Sequence, residues 1–378
     1  MKTNILTLSF VLVFTLFWGA VSAQDDSVIM PNPTEGTDAI TDEEIEAQDL
    51  EVGDPRLLPD SPIYFLKEWG RNIQSAFTFN TVAKAQLQEK FANEKLIELK
   101  KMVEQEKTSE KVEKALEKYQ KTLENVEKAT EKIKEKAGES KEVGVFLDKF
   151  IQHQTLHQRV LQKIEEEVPS EAFEKIEETR QSHLETFGQI ITKLEENEQL
   201  QERLEKNLKE VKGSEFKEFK NLEILKELEE KVPEQAKEAI RSAQESSLNN
   251  VKEQLEVMPQ EAKERFWIYT EEIAGAKEIH VEILETLEVQ FGPNMEMNAI
   301  QSRDRIIEKI QEQEQEREQE REEEKTEACI QLWDPVCGAN GKTYSNECFA
   351  KIAGVTVQYK GACQNVKSIT PIKTQLNK

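Results

Sequence analysis

All four cysteines of this 378-residue chain, Cys329, Cys337, Cys348 and Cys363, lie in one short stretch near its end. A segment this small has little apolar interior, so cross-links must help to hold it folded. The spacing C-x7-C-x10-C-x14-C contains no C-x-x-C pair and no nearby histidine, which disfavours a zinc site. Disulfides are therefore expected, although four cysteines allow three pairings and the spacing alone does not choose among them.

The first residues are typical of a secretory signal peptide. Lys2 precedes an apolar stretch from Ile5 to Val21, and the small residues Ser22 and Ala23 complete a cleavage site. We expect residues 1–23 to be removed, so that the mature chain begins at Gln24. An uncleaved anchor is the alternative, because the stretch approaches the minimum length that spans a membrane. Export exposes cysteines to oxidants and lets disulfides persist.

Composition favours helices over one large core. Hydrophobic residues make up 37% of the chain and charged residues 33%. The predicted fold is mainly α, with elongated helical hairpins or a bundle and a small disulfide-linked α+β module. The formal net charge of −24 repels phosphate backbones and anionic lipids, so nucleic acid is excluded as a partner. A membrane is expected as a partner only if the signal segment stays uncleaved, and the oligomeric state is left open.

Residues 24–54 are expected to form an acidic disordered spacer, because they hold eleven acidic residues and no lysine or arginine. Residues 55–150 are expected to form a helical domain. Its first helix would be capped by Ser61 or Asp60, with Pro62 in the first turn. Four apolar residues follow at helical spacing: Ile63, Leu66, Trp69 and Ile73. A second apolar stripe runs from Val82 to Val103, so two helices are expected to pair here.

This entry segment resembles a family of exported helical domains of unknown function, found mainly in bacteria. The resemblance rests on Ser61-Pro62-Ile63-Tyr64-Phe65-Leu66-Lys67 and on Ala83-Lys84-Ala85-Gln86-Leu87, and it covers roughly residues 54–103. It implies a helical domain outside the cytoplasm and implies no chemistry.

Further helical hairpins are expected over residues 151–307. The segments VPSEAFEKI, VPEQAKEAI and MPQEAKERF, which begin at Val168, Val232 and Met258, each place a proline where a new helix would start. Residues 308–327 form a Glu/Gln/Arg-rich stalk that contains a single apolar residue, Ile310. The stalk is either a solvated helix or a flexible tether.

The sequence contains little that suggests catalysis or metal binding. His153 and His157 lie four residues apart, but without a third ligand they indicate a polar helix face better than a metal site. His183 and His280 are isolated. The aromatic run Phe266-Trp267-Ile268-Tyr269 is expected to fill a core. We therefore predict no enzyme activity, no cofactor and no metal.

Residues 328–363 form what we call the cysteine module, and residues 364–378 a tail. Asn340-Gly341 predicts a tight turn between two extended stretches. Ser345 or Asn346 is expected to cap a helix that ends at Gly354, and residues 355–359 alternate as a strand does.

The pattern from Pro335 to Cys348, P-V-C-G-x-N-G-K-T-Y-x-N-x-C, resembles the Kazal family of serine protease inhibitors. The resemblance implies disulfides between Cys329 and Cys348 and between Cys337 and Cys363. Members of the family commonly have a third disulfide, one cysteine of which would fall at position 351, where this chain has Lys351.

In inhibitory members the stretch between the first two of these cysteines is an exposed loop that enters a protease as a substrate would. Carried over by position, Gln331 is the primary specificity residue and Gln331–Leu332 the reactive bond. The residues expected to support the loop or to contact the protease are Ile330, Trp333, Asp334, Tyr344 and Asn346. Asn346 would bond the carbonyls beside the reactive bond, and Tyr344 would pack beneath the loop.

These features predict an exported, non-enzymatic protein, secreted or held in the cell envelope, that inhibits an extracellular serine protease. A neutral amide at Gln331 cannot form the salt bridge that an Asp-lined pocket rewards, so a subtilisin-like protease is favoured over a trypsin-like one. The alternative is an extracellular interaction protein in which the cysteine module is structural and inhibits nothing.

Overall fold

The computed structural model describes residues 44–136, 140–195, 197–289, 293–327, 329 and 332–363. The described residues contain twelve α-helices, a short 3-10 helix (Ala47–Leu50) and three short strands. The helices are α1 (Tyr64–Ala76), α2 (Thr81–Glu104), α3 (Ser109–Lys136), α4 (Lys141–Glu167), α5 (Ser170–Leu194), α6 (Asn197–Glu210), α7 (Lys217–Glu229), α8 (Glu234–Val257), α9 (Gln260–Glu272), α10 (Lys277–Glu288), α11 (Pro293–Glu327) and α12 (Glu347–Ile352). The strands are β1 (Val336–Gly338), β2 (Thr343–Tyr344) and β3 (Val357–Lys360). The predicted mainly α fold with a small α+β module is confirmed. The signal peptide predicted for residues 1–23 and the tail predicted for residues 364–378 lie outside the described residues.

Local sequence signals set several helix starts. Pro169, Pro233 and Pro259 occupy the N-cap positions of α5, α8 and α9, which confirms that the three proline segments open helices. The side chain of Asn80 accepts a hydrogen bond from the backbone N–H of Ala83 at 2.9 Å and caps α2. These signals act within one turn of helix, which is why the sequence alone locates them.

Two clusters of buried apolar residues hold the helices together. The first takes residues from Ile45 to Ala243 and joins the helices from α2 to α8. The second takes residues from Phe216 to Ile306 and joins the helices from α7 to α11. Helices α7 and α8 contribute to both clusters. The predicted division at residues 150 and 151 falls inside α4, where Phe150 and Ile151 are both buried in the first cluster.

Residues 44–54 are ordered, so the prediction of a disordered spacer is wrong for this part. Leu50 is fully buried in the first cluster, and its carbonyl accepts a hydrogen bond from Asn93 Nδ2 at 3.0 Å. The acidic side chains are paired: Lys212 Nζ lies 2.9 Å from Asp49, and Lys149 Nζ lies 2.6 Å from Glu51. Tertiary contacts of this kind offset the local polarity that suggested disorder. Residues 24–43 lie outside the described residues.

Helix α1 pairs with α2, as predicted, but through the opposite face. Tyr64 and Arg71 are buried at 2% and 7% exposure. The apolar residues Ile63, Leu66, Trp69 and Ile73 face solvent, with exposures from 39% to 64%. The polar face packs inward because α2 supplies Glu94 and Glu98, which pair with Arg71 at 2.7 and 2.8 Å.

Helix α11 is 35 residues long and contains the predicted stalk. Its first half packs into the second cluster through Ala299 and Ile306. Further along, the Arg317 guanidinium lies 3.7 Å from the centre of the Phe173 ring on α5. Of the two alternatives for residues 308–327, the structure shows the helix. At about 1.5 Å per residue α11 spans roughly 50 Å. No helix in the described ranges is long and apolar enough to cross a membrane.

Candidate functional site

The cysteine module is built on a three-stranded antiparallel sheet in the order β2-β1-β3. Val336 of β1 pairs with Tyr344 of β2 on one side and with Lys360 of β3 on the other. Helix α12 packs against all three strands. Because β1 is central and follows Asp334 and Pro335 directly, the sheet fixes one end of the candidate loop.

Two disulfides fix the module. Cys329 is bonded to Cys348 and Cys337 to Cys363, which is the pairing that the resemblance implies. The sequence separations of 19 and 26 residues give each bridge roughly 3 to 4 kcal/mol of stabilisation in the chain-entropy model. One bridge ties the first end of the loop to α12, and the other ties β1 to the residue that ends the described module. Both ends of the loop are therefore anchored covalently.

The turn between β1 and β2 confirms the turn predicted at Asn340-Gly341. Gly341 has a φ of +76°, whereas Asn340 does not have a positive φ, so the glycine alone supplies the left-handed residue. Gly338 approaches its neighbours closely: a Cβ there would lie 2.6 Å from Val355 Cγ1 and 2.8 Å from the Tyr344 ring. A side chain at position 338 would therefore require Val355 and Tyr344 to shift.

Asn346 is the N-cap of α12, so the predicted cap is confirmed. Its Oδ1 accepts a hydrogen bond from the Phe349 N–H at 3.3 Å. The helix ends at Ile352, two residues before the predicted Gly354, and β3 covers residues 357–360 rather than 355–359. Lys351, at the position of the missing cysteine, is exposed to solvent.

The described part of the candidate loop presents its side chains to solvent. Leu332 is 63% exposed and Trp333 is 70% exposed. Two adjacent large apolar side chains therefore lie in solvent directly after the position of the predicted specificity residue. Ile330 and Gln331, which were predicted to flank and to form the reactive bond, lie outside the described residues.

The backbone of the same loop is held from below by hydrogen bonds. Asn346 Nδ2 donates to the Leu332 carbonyl at 3.0 Å. The Asp334 N–H donates to the Ser345 carbonyl at 2.9 Å and lies 3.2 Å from the Leu332 carbonyl. The Gly361 N–H donates to the Pro335 carbonyl at 2.6 Å. From Leu332 to Pro335 the loop thus combines a hydrogen-bonded main chain with exposed side chains at Leu332 and Trp333, an arrangement that can bind a partner without reordering.

Sequence reasoning identified Asn346 but missed the other supports. The Ser345 carbonyl and the Gly361 N–H act through the main chain, so their side chains do not announce these contacts, although the φ of +107° at Gly361 favours glycine there. Thr343 Oγ1 accepts a hydrogen bond from the Cys363 N–H at 2.8 Å, and a lone threonine in a strand gives no hint of this. For Tyr344 the structure gives contacts at the turn, with a hydrogen bond from Asn340 Nδ2 at 2.8 Å. Its packing beneath the loop stays a prediction.

The histidines of the helical body are buried, so placing His153 and His157 on a polar face was wrong. His153 Nδ1 lies 2.9 Å from Glu89 Oε1, and His157 Nδ1 lies 2.9 Å from Tyr119 Oη. His183 bonds Gln154 and Gln158. Burial lowers the pKa of His183 to about 3 and holds the pKa of His157 well below its ordinary value. His157 and His183 therefore join helices as neutral, hydrogen-bonded side chains.

A second buried polar group surrounds Glu223. Its carboxylate lies 2.7 Å from Lys220 Nζ and 2.9 Å from His280 Nε2, so His280, which is isolated in the sequence, has a buried carboxylate partner in the fold. Burial alone would raise the pKa of Glu223, but Lys220 and His280 more than offset it and hold the pKa below its usual range. In the part of the chain that the structure describes, no group of three His, Cys, Asp or Glu side chains is arranged to hold a metal ion. The aromatic run fills the second cluster, as predicted, with Phe266, Trp267 and Tyr269 buried.

Comparison with known families finds one match in the helical part of the chain and one that covers the cysteine module. Residues 56–171 match the model of a Domain of unknown function (DUF5667), and residues 315–372 match the model of the Kazal-type serine protease inhibitor domain. No curated protein and no solved structure matches the chain. The first match extends from α1 to the start of α5, so the buried core that contains this domain continues well beyond it. The chain therefore combines a helical domain of unknown function with a Kazal-type serine protease inhibitor domain.

Proposed function

We propose that this protein is an exported, non-enzymatic inhibitor of a serine-type endopeptidase and that it acts through the loop from Cys329 to Cys337. The observation that carries the proposal is the hydrogen bond from Asn346 to the Leu332 carbonyl beneath side chains that are more than 60% exposed. A substrate-like loop needs both properties. Its main chain must hold one conformation, and its side chains must be free to enter a protease.

Preorganisation is the proposed source of affinity. A loop that is already in its bound conformation loses little entropy on docking, so contact energy appears as affinity. Cleavage at Gln331–Leu332 would leave both new ends attached, one through the Cys329–Cys348 disulfide and the other through Asn346 and Cys337. Ends held in this way favour religation over release of the protease.

The side chains of the loop suggest the class of protease. Gln331 offers a neutral amide and cannot pair with an aspartate at the base of a trypsin-like pocket. Leu332 and Trp333 present apolar surface on the other side of the bond. This combination favours a protease with a broad, apolar cleft, such as a subtilisin-like enzyme.

The proposed location is outside the cytoplasm, secreted or in the cell envelope. Two disulfides in so small a module persist where thiols are not kept reduced. A serine protease in the same compartment is the proposed partner.

The test uses the full oxidised chain and a panel of trypsin-, chymotrypsin-, elastase- and subtilisin-like proteases. We expect inhibition of the subtilisin-like enzyme by the native chain. The substitution Gln331→Arg should add inhibition of trypsin, because it supplies the cation that the trypsin pocket binds. Gln358→Arg, the same change at an exposed position in β3, should leave the inhibition profile unchanged.

Lack of inhibition by the native chain and by Gln331→Arg, with both disulfides intact, would refute the proposal. It would favour the alternative, in which the cysteine module is structural or binds a partner other than a protease.

A further inference from the structure

The surface of α1 and of the residues that follow it carries a row of large apolar side chains in solvent. The α1 apolar face, as we call it, consists of Ile63 (55% exposed), Phe65 (64%), Leu66 (52%), Trp69 (64%), Ile73 (39%), Phe77 (74%) and Phe79 (85%). Single exposed apolar residues are common on proteins, but seven of them between Ile63 and Phe79 are not. This face lies in the helical domain and is separate from the candidate loop.

The orientation of α1 is fixed by buried charge. Arg71 lies 2.7 Å from Glu94 and 2.8 Å from Glu98, and Lys67 lies 2.6 Å from Glu98, which is fully buried. Tyr64 is also buried and bonds Glu98. Rotation of α1 to bury its apolar face would strip Glu98 of its partners, and an unpaired buried carboxylate is strongly destabilising. The apolar face is therefore held outward by the fold.

The segment that carries the face contains few charged residues, in contrast to the chain as a whole, and only Phe79 lines a cavity with lysines of α2 and α3. Between Pro62 and Asn80 the charged residues are Lys67, Glu68 and Arg71, and all three are paired within the α1–α2 contact. Elsewhere one residue in three is charged, and the net charge is −24. Two copies of this chain would therefore meet like charges over most of their surfaces, but not over the α1 apolar face.

The area of the face is sufficient for association. A fully buried aromatic residue removes about 150–250 Å², and a fully buried leucine or isoleucine about 60–120 Å². Weighted by their exposures, the seven residues present roughly 500–900 Å² of apolar surface. The largest patch on a typical monomer is about 300–600 Å², and a stable interface buries about 800 Å² per partner.

We propose that the α1 apolar face is the interface of a homodimer, in which α1 of one copy packs against α1 of a second copy. A two-fold interface brings the same patch of both copies together, so it requires a surface that does not repel itself. The α1 apolar face meets this requirement. An anionic lipid surface is disfavoured as the occupant, because the net charge repels it and the cations of α1 are already paired. The inference does not depend on the inhibitor function.

The test is the molar mass in solution, measured by sedimentation equilibrium over a wide range of concentration. The full chain and the chain that begins at Gln24 should both show a reversible dimer. Trp69→Glu places like charges at the centre of the interface and should weaken association at least about 30-fold. Val257→Glu makes the same kind of change at an isolated exposed valine on α8 and should leave the dimer intact.

Other results would overturn the proposal. These are a native chain that stays monomeric at every concentration, or a dimer that survives Trp69→Glu and also Phe65→Gln, which tests the face without adding charge. Association that requires residues 1–23 would assign the contact to the leader segment. Flotation with phosphatidylcholine vesicles, with and without phosphatidylglycerol, tests whether the face binds lipid instead. A monomer that floats with the vesicles, and no longer does so after Trp69→Glu, would make the face a lipid-binding surface. Unchanged far-ultraviolet circular dichroism confirms that each variant is folded.

Discussion

Asn346 performs two tasks with one side chain, and substitution can separate them. Its Oδ1 caps α12 by accepting the Phe349 N–H at 3.3 Å, and its Nδ2 holds the loop by donating to the Leu332 carbonyl at 3.0 Å. Asn346→Ala removes both bonds. Asn346→Asp keeps an acceptor for the cap, where a carboxylate also suits the helix N-terminus, but loses the donor to Leu332.

The expected magnitudes follow from these two bonds. Loss of an N-cap costs about 0.5–2 kcal/mol, and loss of a neutral hydrogen bond costs about 0.5–1.5 kcal/mol. We therefore expect Asn346→Ala to destabilise the cysteine module by roughly 1–3 kcal/mol. Asn346→Asp should cost about half as much, and its effect should be confined to the loop.

Amide hydrogen exchange, read by mass spectrometry on the oxidised chain, resolves the two effects. Each 1.4 kcal/mol corresponds to about a tenfold faster exchange through local opening. Asn346→Ala should speed exchange in α12 and at the Asp334 amide about 5- to 150-fold. Asn346→Asp should speed exchange at Asp334 but leave α12 close to the native rate. Asn249→Ala, at an exposed position on α8, is the control. Equal effects of the two Asn346 variants on both segments would contradict the dual role.

Three further predictions concern stability and are read by urea unfolding. Leu50→Ala should lower the free energy of unfolding by about 2–5 kcal/mol, because Leu50 is fully buried. A decrease below about 1 kcal/mol would indicate that residues 44–54 are disordered after all. Gly338→Ala should destabilise the cysteine module by about 1–3 kcal/mol through its clash with Val355, whereas Gly53→Ala, which meets nothing within 4 Å, should be nearly neutral. Burial lowers the pKa of His183 from 6.5 to about 3. Between these two values the unfolded chain binds a proton that the folded chain does not, so the free energy of unfolding decreases as the pH is lowered. His183→Asn should reduce that dependence by about 1.4 kcal/mol per pH unit between pH 6 and 4, and an unchanged slope would show that His183 is not buried neutral.

Structural features that depend on only a few neighbouring residues were predicted correctly from the sequence. The prolines at the starts of α5, α8 and α9, the cap at Asn346 and the turn at Gly341 are of this kind. The cysteine pattern added the module and, through the resemblance, its disulfide pairing.

Structural features that depend on residues far away in the sequence were not predicted. The apolar stripe of α1 predicted a buried face, but Glu94 and Glu98, more than 20 residues away, turn the polar face inward. The acidic composition of residues 44–54 predicted disorder, but in the fold Lys149 pairs with Glu51 and Lys212 pairs with Asp49. In both cases the composition of a segment was outweighed by charges that only the fold brings together.

In the candidate site, the sequence predicted the residue types but not the main-chain contacts. Asn346 was predicted from the family pattern, and the structure gives its bond to the Leu332 carbonyl. The contacts of Ser345 and Gly361 with the loop are made by backbone atoms, which a pattern of side chains does not reveal. Gly361 has a φ of +107°, so glycine is favoured at that position by its backbone conformation.

The central claim, that the loop behaves as a slowly processed substrate, is tested most directly by the mass of the chain after incubation with a trace of subtilisin-like protease. We expect a cut at Gln331–Leu332 alone, with one water added and the two fragments still joined by the Cys329–Cys348 disulfide. We also expect a stable mixture of intact and cleaved chain, reached from either form. Complete cleavage at that bond with loss of inhibition, or cleavage elsewhere in residues 329–363, would contradict it.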